Sequence, residues 1–104
     1  MERYAFKMFL NSGKRDEYKK RHDEIWPELT HLLREAGIRN YSIFLDEETN
    51  ILFGYLERSD MHGRDRLPEH TVMRRWWDYM KDLMQTDATG APIAIRIGEV
   101  FHLD

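Results

Sequence analysis

His22 stands four residues after Tyr18 and four before Trp26. On a helix, steps of four return to within about 40° of one face, so a phenol, an imidazole and an indole can line a single groove. Imidazole gives and takes protons near neutral pH, and the chemistry open to such a groove is general acid–base catalysis. The same spacing suits a half-buried structural histidine, and the residues alone leave both readings open. His31 comes nine residues after His22, on the opposite helix face, so the two cannot share a metal. His62 and His70 fall in a polar, irregular stretch and read as solvated, while His102 lies near the end of the last strand. No HExxH or other metal-ligand spacing occurs.

The second feature is the pair Trp76-Trp77, followed by Asp78 and Tyr79. Adjacent helical residues point about 100° apart. One indole can pack in the core while the other faces a pocket, or both can flank a broad cleft of the kind that ring-shaped ligands use. Arg64, Arg66, Arg74, Arg75 and the Lys14–Arg21 cluster read as solvated faces. Arg74 or Arg75 could hold an anion, but no glycine-rich phosphate loop accompanies them.

Composition narrows the classes. The 104 residues suffice for one domain, expected over 1–104. A net charge of −3 gives no electrostatic case for nucleic acid. The absence of cysteine excludes disulfides, thiolate nucleophiles and Cys-based metal sites. No apolar run approaches the roughly 18 residues of a membrane span, and the N-terminus lacks the pattern of a signal peptide. A cytoplasmic location, with no membrane or nucleic-acid partner, is the expectation.

The elements that must position these residues follow from periodicity. Tyr4, Phe6, Met8 and Leu10 alternate as one face of a strand over 3–10. Residues 14–36 carry a helical stripe, with a kink or break expected near 23–27 and Pro27 able to open a second helical piece. Strands are expected over 38–46 and 51–57, a helix over 71–85, and a last strand over 93–103. In the second strand, Arg39, Tyr41, Ile43 and Leu45 alternate with Ile38, Ser42 and Phe44. The order β-α-β-β-α-β predicts an α+β, ferredoxin-like subunit with one antiparallel sheet and its helices on one face. Both sheet faces carry apolar residues, so the uncovered face wants a partner, met by sheet-to-sheet homodimerisation or by a cavity closed by part of the chain.

Taken together, four blocks resemble the L-rhamnose mutarotase family. Residues 17–29, with Tyr18, His22, Trp26 and Pro27, are similar to the family's first-helix signature. Residues 40–46, opening Asn40-Tyr41-Ser42, are similar to its second strand. Residues 75–80 resemble its double-tryptophan helix and 99–103 its closing strand, and the blocks keep their spacing almost end to end. Residues 59–70 carry no such signature. The resemblance implies a dimeric α/β barrel and interconversion of the α and β anomers of L-rhamnose without a cofactor. It implies that His22 is the proton donor and that Tyr18, Tyr41, Trp76 and Trp77 bind the sugar. Ring opening needs an acid at the ring oxygen and a base at the anomeric hydroxyl, which agrees with a histidine among aromatics. Two other readings share these elements: a small α/β-barrel monooxygenase acting on haem or an aromatic substrate, and a non-catalytic sugar-binding module.

Overall fold

Alternation of apolar residues lays down β1 (Glu2–Phe9), which sends Phe6 and Met8 into the core, followed by Leu10 just beyond the strand. The computed structural model describes all of residues 1–104. The turn at residues 11–14, with Gly13 at φ +79°, leads into α1 (Arg15–Asp23). Pro27 opens α2 (Pro27–Glu35) at its first turn, where a missing N–H costs nothing. The residue before a proline is pushed to extended backbone, and Trp26 sits at φ −63°, ψ 132°. The expected kink is therefore a full break. β2 (Ile38–Asp46) and β3 (Ile51–Arg58) form a hairpin closed by Asn50 donating to the Asp46 carbonyl at 2.8 Å. A short 3₁₀ helix, Arg64–Glu69, runs through the stretch that reads as irregular and buries Leu67. It leads to α3 (Thr71–Met80) and, after a loop, β4 (Ile95–Ile97).

The sheet order is β2-β3-β1-β4, with every neighbouring pair antiparallel. Helices cover one face, as the element order predicts. Between them lie the most deeply buried side chains, Leu29, Leu52, Leu56, Met80 and Leu83. No helix is long and apolar enough to cross a membrane.

Three details differ from the periodicity. β2 does not alternate throughout: its register with β3 shifts between Arg39 and Ser42, with Asn40 at φ +49°. Two residues, Asn40 and Tyr41, occupy this bulge. Ile38 therefore shares the core face with Ile43 and Leu45, while Arg39 pairs with Glu57 on the outer face. α3 ends at Met80 rather than near residue 85, and Leu83 and Met84 enter the core from turns. The last strand is three residues long. Its ladder with β1 ends at Ile97 opposite Ala5, and beyond it the Arg3 guanidinium binds Glu99 at 2.6 Å. Val100, Phe101 and Leu103 are left exposed.

Gly54 pairs with Phe6 across β1 and β3, and a Cβ there would run into the Phe6 ring. Gly54→Ala is expected to cost about 1–3 kcal/mol through overpacking. A thermal melt should fall by several degrees, since about 1 kcal/mol moves the midpoint of a domain this size by roughly 4–8 °C.

Candidate active site

The aromatics of the site come from three different elements, and the fold brings them together. α1 supplies Tyr18 and His22, β2 supplies Tyr41 from its bulge, and α3 supplies Trp76 and Trp77. All five line one cavity of about 1200 Å³ between the helices and the sheet. The Tyr18 and His22 rings lie 4.4 Å apart, and Trp76 meets His22 edge-on at 5.4 Å. Phe6 forms part of the floor, with its ring 6.1 Å from that of Tyr41.

Trp26 is not part of this wall. The break before Pro27 turns it away, and it packs edge-on against the far side of Trp76 at 5.1 Å and stacks on Tyr79 at 5.6 Å. The expected phenol–imidazole–indole groove exists, but its indole is Trp76. That ring is only 5% exposed, so it serves the core and the cavity together. Trp77 is half-buried and also faces the cavity.

The protons of His22 are constrained. Nδ1 lies 3.1 Å from the Tyr18 carbonyl, which can only accept, so Nδ1 carries a hydrogen. Nε2 has no partner in the chain, and no buried side-chain nitrogen or oxygen is sealed off without one. Nε2 therefore opens onto the cavity. Burial lowers the His22 pKa below its ordinary 6.5, against a smaller opposing effect of the Tyr18 carbonyl. Burial pushes the Tyr18 hydroxyl far above the usual phenol range, with Tyr41 adding to it. Tyr41 keeps 40% of its surface accessible, yet the protein around its hydroxyl pushes it up to about 12. Both phenols are thus neutral hydrogen-bonding groups near pH 7, and of these three side chains His22 is the one that changes charge on the acid side of 6.5.

Arg66, Arg74 and Arg75 are exposed, in keeping with a solvated face, while Arg21 and Arg64 are half-buried. Arg74 donates to the Pro68 carbonyl at 2.9 Å, and Arg75 lies over Trp26 at 5.5 Å, both outside the cavity. Arg64 instead lines the cavity from the 3₁₀ helix. No periodic signal marks it, because that segment meets the site only through tertiary packing.

A family model described as L-rhamnose mutarotase matches residues 3–103. The chain belongs to the L-rhamnose mutarotase family. It is 56% identical to the L-rhamnose mutarotase of Sinorhizobium fredii over 99% of both chains. It is 55% identical to that of Agrobacterium fabrum over 99% of this chain and 96% of the relative. The crystal structure of L-rhamnose mutarotase from Formosa agariphila superposes with a TM-score of 0.92 at 45% identity, covering 100% of both chains. The likeness thus includes residues 59–70, which carry no family signature in the sequence.

Because the fold prefers neutral His22, the unfolded chain binds more protons below 6.5. The stability His22 contributes is complete above that value and declines as pH falls from it toward the folded pKa. Titration of the His22 ring resonances by NMR should give a midpoint below 6.5. This pH dependence of stability should disappear from denaturation curves of His22→Gln.

Proposed function

We propose that the cavity interconverts the α and β anomers of L-rhamnopyranose, with His22 as the proton-transfer group. The observation that carries this reading is the free Nε2 of a half-buried imidazole, its tautomer set by the Tyr18 carbonyl, among aromatics in a family of L-rhamnose mutarotases. Burial makes the imidazolium a stronger acid than usual, so the protonated minority gives up its proton readily. In ring opening, Nε2–H protonates the ring oxygen as the bond from that oxygen to C1 breaks. The anomeric hydroxyl passes its proton to water, leaving C1 as an aldehyde. Rotation about C1–C2 presents the other carbonyl face. The former ring oxygen attacks it and returns its proton to Nε2, while the carbonyl oxygen regains one from water. Tyr18 and Tyr41, held neutral, hydrogen-bond the sugar oxygens rather than act as bases. Trp76 and Trp77 give the apolar walls that a sugar ring and its C6 methyl can lie against.

Exchange NMR on L-rhamnose at anomeric equilibrium tests this reading. The protein should accelerate exchange, and His22→Ala should lose the roughly 10²–10⁴-fold that one positioned acid supplies. With the imidazolium as donor, the protein-dependent rate should fall as pH rises through the His22 midpoint. A rate unaffected by His22→Ala removes His22 from the mechanism.

The enzyme is further proposed to act in the cytoplasm as a homodimer joined through the outer sheet face. Phe44, Phe53 and Ile95 are exposed on that face, and register places Phe44 opposite Phe53. Lys7 pairs with both Phe53 and Ile95, so one apolar row crosses the sheet around its aliphatic stem. Sedimentation equilibrium should give twice the chain mass, and Phe44→Glu should shift it toward that of a single chain.

A further inference from the structure

Arg21, Arg58 and Arg64 are the arginines that the fold withholds from full exposure. Arg21 holds Glu17 and Asp82, and Arg58 holds Glu2 at 2.7 Å. Arg64 holds no carboxylate, and its side chain makes no hydrogen bond in the chain. A half-buried guanidinium without an acceptor has lost water and gained no polar partner in exchange.

Its surroundings make the placement more costly still. The guanidinium lies 4.4 Å from the Tyr4 ring centre and 5.3 Å from that of Phe6. Arg58 and Arg96 already lie over Tyr4 at 4.2 and 4.7 Å and share the single carboxylate of Glu2. Packing around Tyr4 therefore does not call for a third cation. The stacking does explain how Arg64 is held. Its contacts are with aromatic rings rather than with acceptors, so its N–H donors are free, and Arg64 lines the cavity together with Phe6 and Tyr41. A planar fork of charged donors fits two oxygens on neighbouring carbons.

We propose that Arg64 is a substrate-binding residue that grips a vicinal pair of sugar hydroxyls and sets the orientation of the pyranose beside Tyr41. The inference rests on the reading of this cavity as the L-rhamnose site. It makes the 3₁₀ segment a determinant of which sugars are accepted, because a fork fitted to two hydroxyls rejects a sugar that lacks one of them.

The test is exchange NMR across a range of L-rhamnose concentrations for wild type, Arg64→Met and Arg64→Lys. Met keeps the contact with the two rings and removes the donors, while Lys keeps the charge and loses the fork. Arg64→Met should raise the half-saturating sugar concentration by about ten- to a hundredfold, with a plateau rate within about threefold of wild type. Arg64→Lys should recover part of that loss. Among L-rhamnose analogues each lacking one ring hydroxyl, wild type should penalise those that lack a gripped oxygen, and Arg64→Met should not. A merely structural role would lower the melting temperature without changing this discrimination. If wild type accelerates exchange and Arg64→Met saturates within twofold of it, Arg64 is overturned and the sugar site stands. If wild type accelerates no exchange of L-rhamnose, both fall together.

Discussion

Pro27 has no N–H to continue the hydrogen-bond ladder of α1, and it forces Trp26 into extended backbone. The helix must stop directly after His22. With one continuous helix, Trp26 would stand over His22 and fill the space beside it. With the break, Trp26 swings to the far side, and Trp76 from α3 takes the position against the imidazole. The core gains an aromatic stack of Trp76, Trp26 and Tyr79, while the cavity keeps an open Nε2. One residue without an amide hydrogen thus decides which indole belongs to the site and which supports it from behind.

The aromatic wall of the cavity keeps its titratable groups neutral. Burial opposes the imidazolium of His22 and the phenolates of Tyr18 and Tyr41 alike. A neutral substrate suits such a place, since it brings hydrogen-bonding groups without a charge to desolvate. Its reaction is also modest in demand. Anomers interconvert in water unaided, and one well-placed proton donor supplies a useful gain. Of the charged side chains along the cavity's edge, Arg64 is the half-buried arginine, held against aromatic faces with its donors unsatisfied.

The sheet divides its work between two faces. The covered face packs Met8, Leu52 and Leu45 beneath the helices, and the outer face carries Phe44, Phe53 and Ile95. Strand alternation alone does not produce this division in β2. The bulge at Asn40 and Tyr41 adds one residue, so that Ile38 and Ile43 both reach the core from positions of opposite parity. Tyr41, which shares the parity of Ile43 and Leu45, reaches the cavity from this bulge. A device that corrects the register thereby also supplies a residue to the site.

Local physics made much of this legible in advance. Period-two alternation in β1, the helical stripe over 14–36, and the stop before Pro27 depend on near neighbours, and all appear where the residues place them. The element order carried the sheet topology, and the pairing of Tyr18 with His22 follows from helical spacing alone. Other features were settled by packing between distant segments. The exchange of Trp26 for Trp76 depends on the angle at which α3 crosses the break. The bulge in β2 depends on its register with β3. Arg64 reaches the cavity from a segment with no readable period, because a 3₁₀ turn following a hairpin is placed by what it packs against. Amino-acid order determined which groups could do proton chemistry; only the folded chain decided which of them share a cavity, because that proximity arises from contacts that no local rule encodes.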